Sequence, residues 1–366
     1  NDLGDLYFNG ELAPKHMGKA YEYFLKASQN GSGYGSYSCG FILMKGSADI
    51  PRDIEKGLSM FRLAVDQNYK AATRDLARYY YSLETEEDNR KALDYYLQYI
   101  EYNPKDTDTL LHIGLIYESG LGVPLNIDLA RRYYERAAEQ DETGMAYNFL
   151  GGTYMNDEET ENNERKAVHY FQKAIELGNT NAMFRISYYL HNGKGGLQVD
   201  IPREIELLTE ASKRGNHQAT YRLGLLFEDN ESGMAQNLEL SVKYFQLAAD
   251  NGILAAINKM GELYLFGEVI PANLTKAISC FTAASEQGYG KASYWLGRLH
   301  TDGIGQLEKD TQKAMNYYRK AIEQGYEEAR EWMEQLQKNL VDETITDIEI
   351  PQDKSDEELY KEAKNA

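Results

Sequence analysis

The residues able to do chemistry are scattered along this chain, and their spacing fits no reaction. Six histidines, His16, His112, His169, His191, His217 and His300, stand too far apart to put two imidazoles on one helical face around a metal. Gly193-Lys194-Gly195-Gly196 has the glycine content of a phosphate loop. It lacks the Gly-Lys-Ser/Thr ending, however, and follows a helical stretch rather than a strand. The acidic stretches Glu84 to Asp88 and Asp157 to Glu164 offer carboxylates, but without the alternating ligands and central Gly of a calcium loop. No Ser, Cys or Asp stands in a nucleophile motif. The expectation is a chain with no catalytic residues, no cofactor and no metal, which works by binding.

The elements that would carry a binding surface announce themselves by a repeat. A Gly or a small surrogate returns at Gly4, Gly40, Ala77, Gly114, Gly151, Ser187, Gly224, Gly261 and Gly297, always 36 or 37 residues apart. About 16 residues after each mark comes a second small position, such as Ala92, Ala167 or Ala314, with Glu204 the one misfit. A bulky pair follows: Tyr23/Phe24, Met60/Phe61, Tyr95/Tyr96, Tyr133/Tyr134, Tyr170/Phe171, Leu207/Leu208, Tyr244/Phe245, Cys280/Phe281 and Tyr317/Tyr318. Small residues then return at Ala27, Ala64, Ala137 and their equivalents, with Tyr99 as the exception.

Spacings of three, four and seven put such residues on one stripe of a helix. Each unit therefore holds two helices. Gly inside a helix costs roughly 1 kcal/mol against Ala, so its return at one position implies close approach by a bulky side chain from the other helix. Gly31, Gly178, Gly215, Gly252, Gly288 and Gly325 stand where a left-handed cap closes the second helix.

Ala292-Ser-Tyr-Trp-Leu-Gly-Arg-Leu-His-Thr-Asp-Gly-Ile-Gly, followed by Lys313-Ala-Met-Asn-Tyr-Tyr-Arg-Lys-Ala-Ile-Glu-Gln-Gly325, resembles the Sel-one-like repeat, a longer relative of the tetratricopeptide unit. The resemblance covers residues 1 to about 338 in nine registers and departs at the loops Glu84 to Asp88 and Asn156 to Glu164, and at Asn103-Pro104. It implies an all-α fold: one right-handed superhelical solenoid of nine helix-turn-helix repeats with a partial capping unit over 326–338. In that unit Ala329, Trp332, Met333 and Leu336 face in, while Glu331, Glu334, Gln335 and Lys338 face out. Residues 339–366 are expected to be an acidic, largely disordered tail, with a short helix at 356–363. The resemblance further implies a protein-binding scaffold. Its relatives include exported bacterial proteins, immunity proteins that block a phospholipase toxin, and the lumenal adaptor of endoplasmic-reticulum degradation.

A net charge of −19 disfavours nucleic acid and anionic membrane, because phosphate binding needs clustered Lys and Arg. No apolar run is long enough for a membrane span. Cys39 and Cys280 occupy apolar helical positions more than six units apart, so they are expected as core thiols and not as a disulfide. Asn30, Asn230 and Asn273 head glycosylation sequons. The chain opens on Asn1, and the turn that precedes the Gly in later units is missing before Gly4. A removed export leader would leave such an end, as would sequence simply lying upstream.

One row of positions suggests where a partner would bind. Two residues before each mark, the side chain is expected to point to the concave side, because a helix turns about 100° per residue and the neighbour of the Gly is core. That row reads Ser38, Asp75, His112, Phe149, Arg185, Arg222, Lys259 and Trp295. Arg185, Arg222 and Lys259 ending on Trp295 form a basic stripe in an acidic protein, suited to a partner segment with carboxylates and an aromatic anchor. The competing expectation is that these side chains lie over neighbouring helices and pair with local Glu.

Overall fold

The computed structural model describes residues 1–10, 15–229, 236–304 and 307–346, the last six of these by backbone alone. Every regular element among the described residues is an α-helix. The contacts cluster into two compact units, Asn1–Asp200 and Ile201–Ala366. The first unit holds α1 (Asp2–Asn9), α2 (Met17–Gln29), α3 (Gly33–Lys45), α4 (Ile54–Asp66), α5 (Ala71–Tyr81), α6 (Glu86–Tyr102), α7 (Thr107–Ser119), α8 (Ile127–Ala138), α9 (Met145–Met155), α10 (Glu161–Glu176) and α11 (Thr180–Asn192). The second holds α12 (Ile201–Lys213), α13 (His217–Glu228), α14 (Leu238–Asp250), α15 (Leu254–Phe266), α16 (Leu274–Glu286), α17 (Gly290–Asp302), α18 (Thr311–Glu323) and α19 (Ala329–Thr346).

Within each unit successive helices pack as hairpins, and the glycine marks set how close they come. A Cβ built on Gly40 would lie 2.6 Å from Phe61, on Gly114 2.3 Å from Tyr134, and on Gly151 2.5 Å from Phe171. In the second unit the same distance is 2.6 Å for Gly224 against Phe245, Gly261 against Phe281 and Gly297 against Tyr318. The second member of each bulky pair therefore lies buried against the backbone of the partner helix, and a methyl group there would collide with a rigid ring. Hairpin α5/α6 carries Ala77 at its mark and still buries Tyr96 fully.

The first member, in the six pairs where it is a Tyr, does something else. It stacks, half-buried, on a ring three residues after the mark: Tyr7 with Tyr23, Tyr80 with Tyr95, Tyr117 with Tyr133 and Tyr154 with Tyr170 in the first unit. Phe227 with Tyr244 and His300 with Tyr317 do the same in the second, at 5.7 and 5.6 Å. Each stack adds about 0.5–1.5 kcal/mol beyond the area it covers. One helix face thus makes two different aromatic contacts, one buried and one at the rim.

Local chemistry closes the hairpins as its residue types demand. Gly31, Gly178, Gly215, Gly252, Gly288 and Gly325 all take positive φ, between 78° and 93°. Asn68 takes the same slot at φ 62°, whereas Asn103 does not, at φ −129°. The side chains of Asp53, Asn126, Thr160, Asn237, Asn273 and Asp310 accept a backbone N–H at the start of their helices, worth about 1 kcal/mol each. Hydroxyl–amide clasps tie hairpins together. Ser28 and Ser36 meet at 2.6 Å, and Gln67 receives the Ser36 hydroxyl while donating to the Ser28 carbonyl. Ser285, Ser293 and Gln324 repeat the clasp in the second unit. Helix α19 covers the Tyr318 cluster with Trp332, Met333 and Leu336 while Glu331, Glu334, Gln335 and Lys338 face solvent. It continues past 338 to Thr346; the expected helix at 356–363 and the remainder of the tail lie outside the described residues.

Candidate functional site

The row two residues before each mark lies, half-buried, against the core of the preceding hairpin. In the first unit His112 stacks on Tyr96 at 5.2 Å, with its Nδ1 2.7 Å from the Asp108 carbonyl. Phe149 stacks on Tyr134 at 5.3 Å, and the Arg185 guanidinium sits 6.0 Å from the centre of the Phe171 ring. In the second unit Lys259 Nζ lies 5.8 Å from the Phe245 ring, and Trp295 stacks on Phe281 at 5.9 Å. The register holds from hairpin to hairpin inside each unit, because the same helical phase brings each side chain over the ring that the previous Gly admitted.

The three cations differ in how far they are already engaged. Arg222 donates from Nε and Nη2 to Glu204, both at 3.1 Å, and the Glu204 side chain is fully buried. This explains why Glu204 breaks the small-residue pattern: its carboxylate occupies the small slot and is neutralised by the next helix. Lys259 pairs with Glu228 at 2.8 Å and reaches Glu262 at 3.9 Å. Glu262 also accepts the Trp295 indole N–H at 2.9 Å and pairs with Lys291 at 2.8 Å. Arg185 rests on the Asn148 carbonyl at 3.4 Å and on the Phe171 ring, with no carboxylate partner among the described residues. Sequence reasoning singled out the cations and missed their partners, Glu228 and Glu262. Pairing with a local Glu was legible in general, through the i,i+3 spacing of Lys259 and Glu262 and through Glu204 as the one charged residue at a small position; Glu228, on another helix, left no signal.

The other candidate groups serve the fold. Lys194, from the glycine-rich loop, binds Glu159 at 2.6 Å and Glu164 at 3.4 Å, so that loop clasps the acidic loop of the preceding hairpin. Arg131 holds Asp157 at 2.7 Å and lies 3.8 Å from the centre of the Tyr154 ring. In the other acidic loop Thr85 caps α6 and donates to Asp88 at 2.7 Å. His16 caps α2 and lies 3.2 Å from Asp49. No cluster of His, Cys, Asp or Glu among the described residues is arranged to hold a metal ion. Cys39 is fully buried, and burial pushes its thiol up to about 12; Cys280 is only half-buried. Both are free thiols. Asn30 and Asn273 are exposed, each already hydrogen-bonded at a helix end, while Asn230 lies outside the described residues. No described helix is long and apolar enough to cross a membrane.

Comparison with known proteins places this geometry. The family model of the Sel1 repeat matches nine times, at residues 1–32, 34–69, 70–98, 109–142, 144–179, 180–216, 217–253, 254–289 and 290–326. The Sel1-repeat-containing protein YjcO of Escherichia coli K12 is 33% identical over 78 residues, which is 21% of this chain and 34% of the relative, so the chain matches only about a third of that relative's length. The crystal structure of a Sel1 repeat protein from Oxalobacter formigenes superposes with a TM-score of 0.65 at 24% identity, covering 86% of this chain and 90% of the other. A protective antigen of uropathogenic Escherichia coli with the same repeat fold gives a TM-score of 0.55 at 21% identity, over 92% of this chain and 79% of the other.

Proposed function

Because the chain belongs to the Sel1 repeat family, whose members generally mediate protein–protein interaction, we propose that it is a non-enzymatic scaffold holding a partner protein along the row two residues before each mark. The observation that carries this is the in-register row itself. Within each unit one side chain per hairpin stands at the same helical phase, a ring in some hairpins and a cation in others. Such a row reads a partner segment one residue at a time without reorganising the backbone.

Arg185 in the first unit and Trp295 in the second are the strongest contact points of the proposal. Arg185 has no carboxylate partner among the described residues, and Trp295 carries the largest ring area. Arg222 and Lys259 already neutralise Glu204 and Glu228, so they contribute shape more than charge. Within the first unit Arg185 suits a partner carboxylate, and within the second Trp295 suits an aromatic or apolar anchor.

The test uses Arg185→Gln, which keeps most of the aliphatic stem over Phe171, and Trp295→Ala. Each variant is checked by circular dichroism and then used as bait in parallel with the parent protein in extracts of the source organism. Loss of the same captured protein in either variant supports the row as the site. Equal capture by both variants moves the site elsewhere, and failure of the parent to retain any protein overturns the scaffold reading.

A further inference from the structure

The row over the buried rings is interrupted in hairpin α3/α4, and a cavity opens there. In five hairpins the row residue lies over the ring of the preceding hairpin: His112, Phe149, Arg185, Lys259 and Trp295. At the equivalent place above Phe24 stands Ser38, which is too short to cover a ring. A cavity of about 180 Å³ remains, lined by Phe8, Phe24, Tyr34, Tyr37, Ser38 and Phe41. It is open to solvent, since Phe41 is 41% exposed. We infer that this cavity is a receptor for an arginine side chain presented by a partner polypeptide.

Three observations select that occupant, and the inference rests on the protein-binding reading above. The first is what the chain itself places over the equivalent rings: cations in two hairpins, Arg185 and Lys259. A further cation, Lys15, already lies 5.6 Å from the Phe8 ring at the edge of the same cluster.

The second is the electrostatics of the lining. Five aromatic rings offer their π density. The Tyr34 hydroxyl donates to Asp5 at 2.6 Å and the Tyr37 hydroxyl to Asp75 at 2.7 Å. With their protons committed to carboxylates, neither phenol offers a donor to an incoming anion; the Tyr37 oxygen keeps acceptor capacity, while the Tyr34 oxygen is also engaged by Ser38. In a chain of net charge −19 this attracts a cation and repels an anion.

The third is shape and hydration. A guanidinium is planar, stacks on rings and sheds water more readily than an ammonium, so it suits a shallow aromatic cavity better than lysine does. Free arginine carries an α-ammonium and an α-carboxylate, both strongly hydrated, that hold it away from an apolar rim. A side chain within a polypeptide, where both groups are neutral amides, enters without that desolvation cost.

The experiment titrates the full chain, with 13C-labelled Phe and Tyr rings, against capped amino acids and follows the ring resonances by NMR. N-acetyl-arginine methylamide is expected to bind about tenfold tighter than the capped norleucine analogue, the worth of a partly desolvated cation–π contact. Phe41→Ala, an exposed substitution that spares the core, should erase most of that advantage. Ser38→Arg, which supplies the missing row side chain, should abolish binding. Capped phenylalanine binding as tightly as capped arginine overturns the inference. So does free arginine binding more tightly than the capped form, or the parent protein showing no shift of the Phe24 and Phe41 rings. The result is separable from the scaffold test, because the capped probe needs no partner and leaves Arg185 and Trp295 untouched.

Discussion

Replacing Gly114 by Ala should destabilise hairpin α7/α8, although Ala is the better helix former. The added Cβ would stand 2.3 Å from Tyr134 Cε1, 2.7 Å from Cδ1 and 2.8 Å from Cζ. Tyr134 is fully buried, and its hydroxyl donates to Glu118 at 2.6 Å, so the ring is held at both ends. Helix propensity favours Ala by about 1 kcal/mol. Overpacking a filled core costs about 1–3 kcal/mol, and collision with a tethered ring places this case at the upper end. The net expectation is a loss of about 2 kcal/mol.

The assay must be local, because a repeat array unfolds in parts and a single global midpoint averages over them. Hydrogen exchange should show weakened protection in α7 and α8, fading within a hairpin or two. Gly18→Ala serves as control: its Cβ would meet only His16 at 3.3 Å and Asp49 at 3.5 Å, so stability should be kept or slightly raised. Combining Gly114→Ala with Tyr134→Leu should cost clearly less than the sum of the two changes, because a smaller side chain makes room for the methyl. A Gly114→Ala protein as well protected as the parent, or strict additivity in the double variant, would refute the idea that ring contact is what fixes Gly in this register.

Arg222→Ala should cost about 3 kcal/mol by removing the guanidinium that neutralises the buried Glu204 carboxylate, whereas Arg222→Ala with Glu204→Ala should be less damaging than the single change; denaturant unfolding of all three variants measures the coupling. Alkylation at neutral pH should modify Cys280 slowly in the native protein, since partial burial raises its thiol too, and Cys39 only after unfolding, as read by mass spectrometry, because burial hides the Cys39 thiol fully and pushes it up to about 12. His300 is held below 6.5 by burial and by Lys313, so the unfolded chain takes up this proton first as pH falls. The stability it contributes is complete above 6.5 and is lost on acidification below that value; His300→Phe, which keeps the stack on Tyr317, should flatten this part of the pH profile of α17/α18 in hydrogen exchange.

The periodic marks, the bulky pairs and the closing glycines were legible as sequence because each follows from backbone geometry. A helix puts residues three and four apart on one face, and Gly is what permits positive φ or ring contact at no steric cost. These features determined the hairpins, their boundaries and the family. The division of labour within each bulky pair was not legible. Tyr133 and Tyr134 look equivalent in a string, yet one lies at the rim against Tyr117 and the other is buried on Gly114. Only the roll of one helix against another separates them.

The same holds for the candidate site. The row containing Arg185, Arg222, Lys259 and Trp295 could be counted out from the marks, because its phase is fixed within a single helix. Its chemistry could not, since the carboxylates that engage Arg222 and Lys259 come from other helices, at Glu204 and Glu228. The cavity above Phe24 is likewise invisible in the string: Ser38 is an ordinary residue there, and it matters only because six side chains from three different helices meet around the space it leaves. Sequence determines what repeats at fixed separation along one backbone; tertiary structure decides which side chains meet across it, because those contacts depend on distances that no local periodicity encodes.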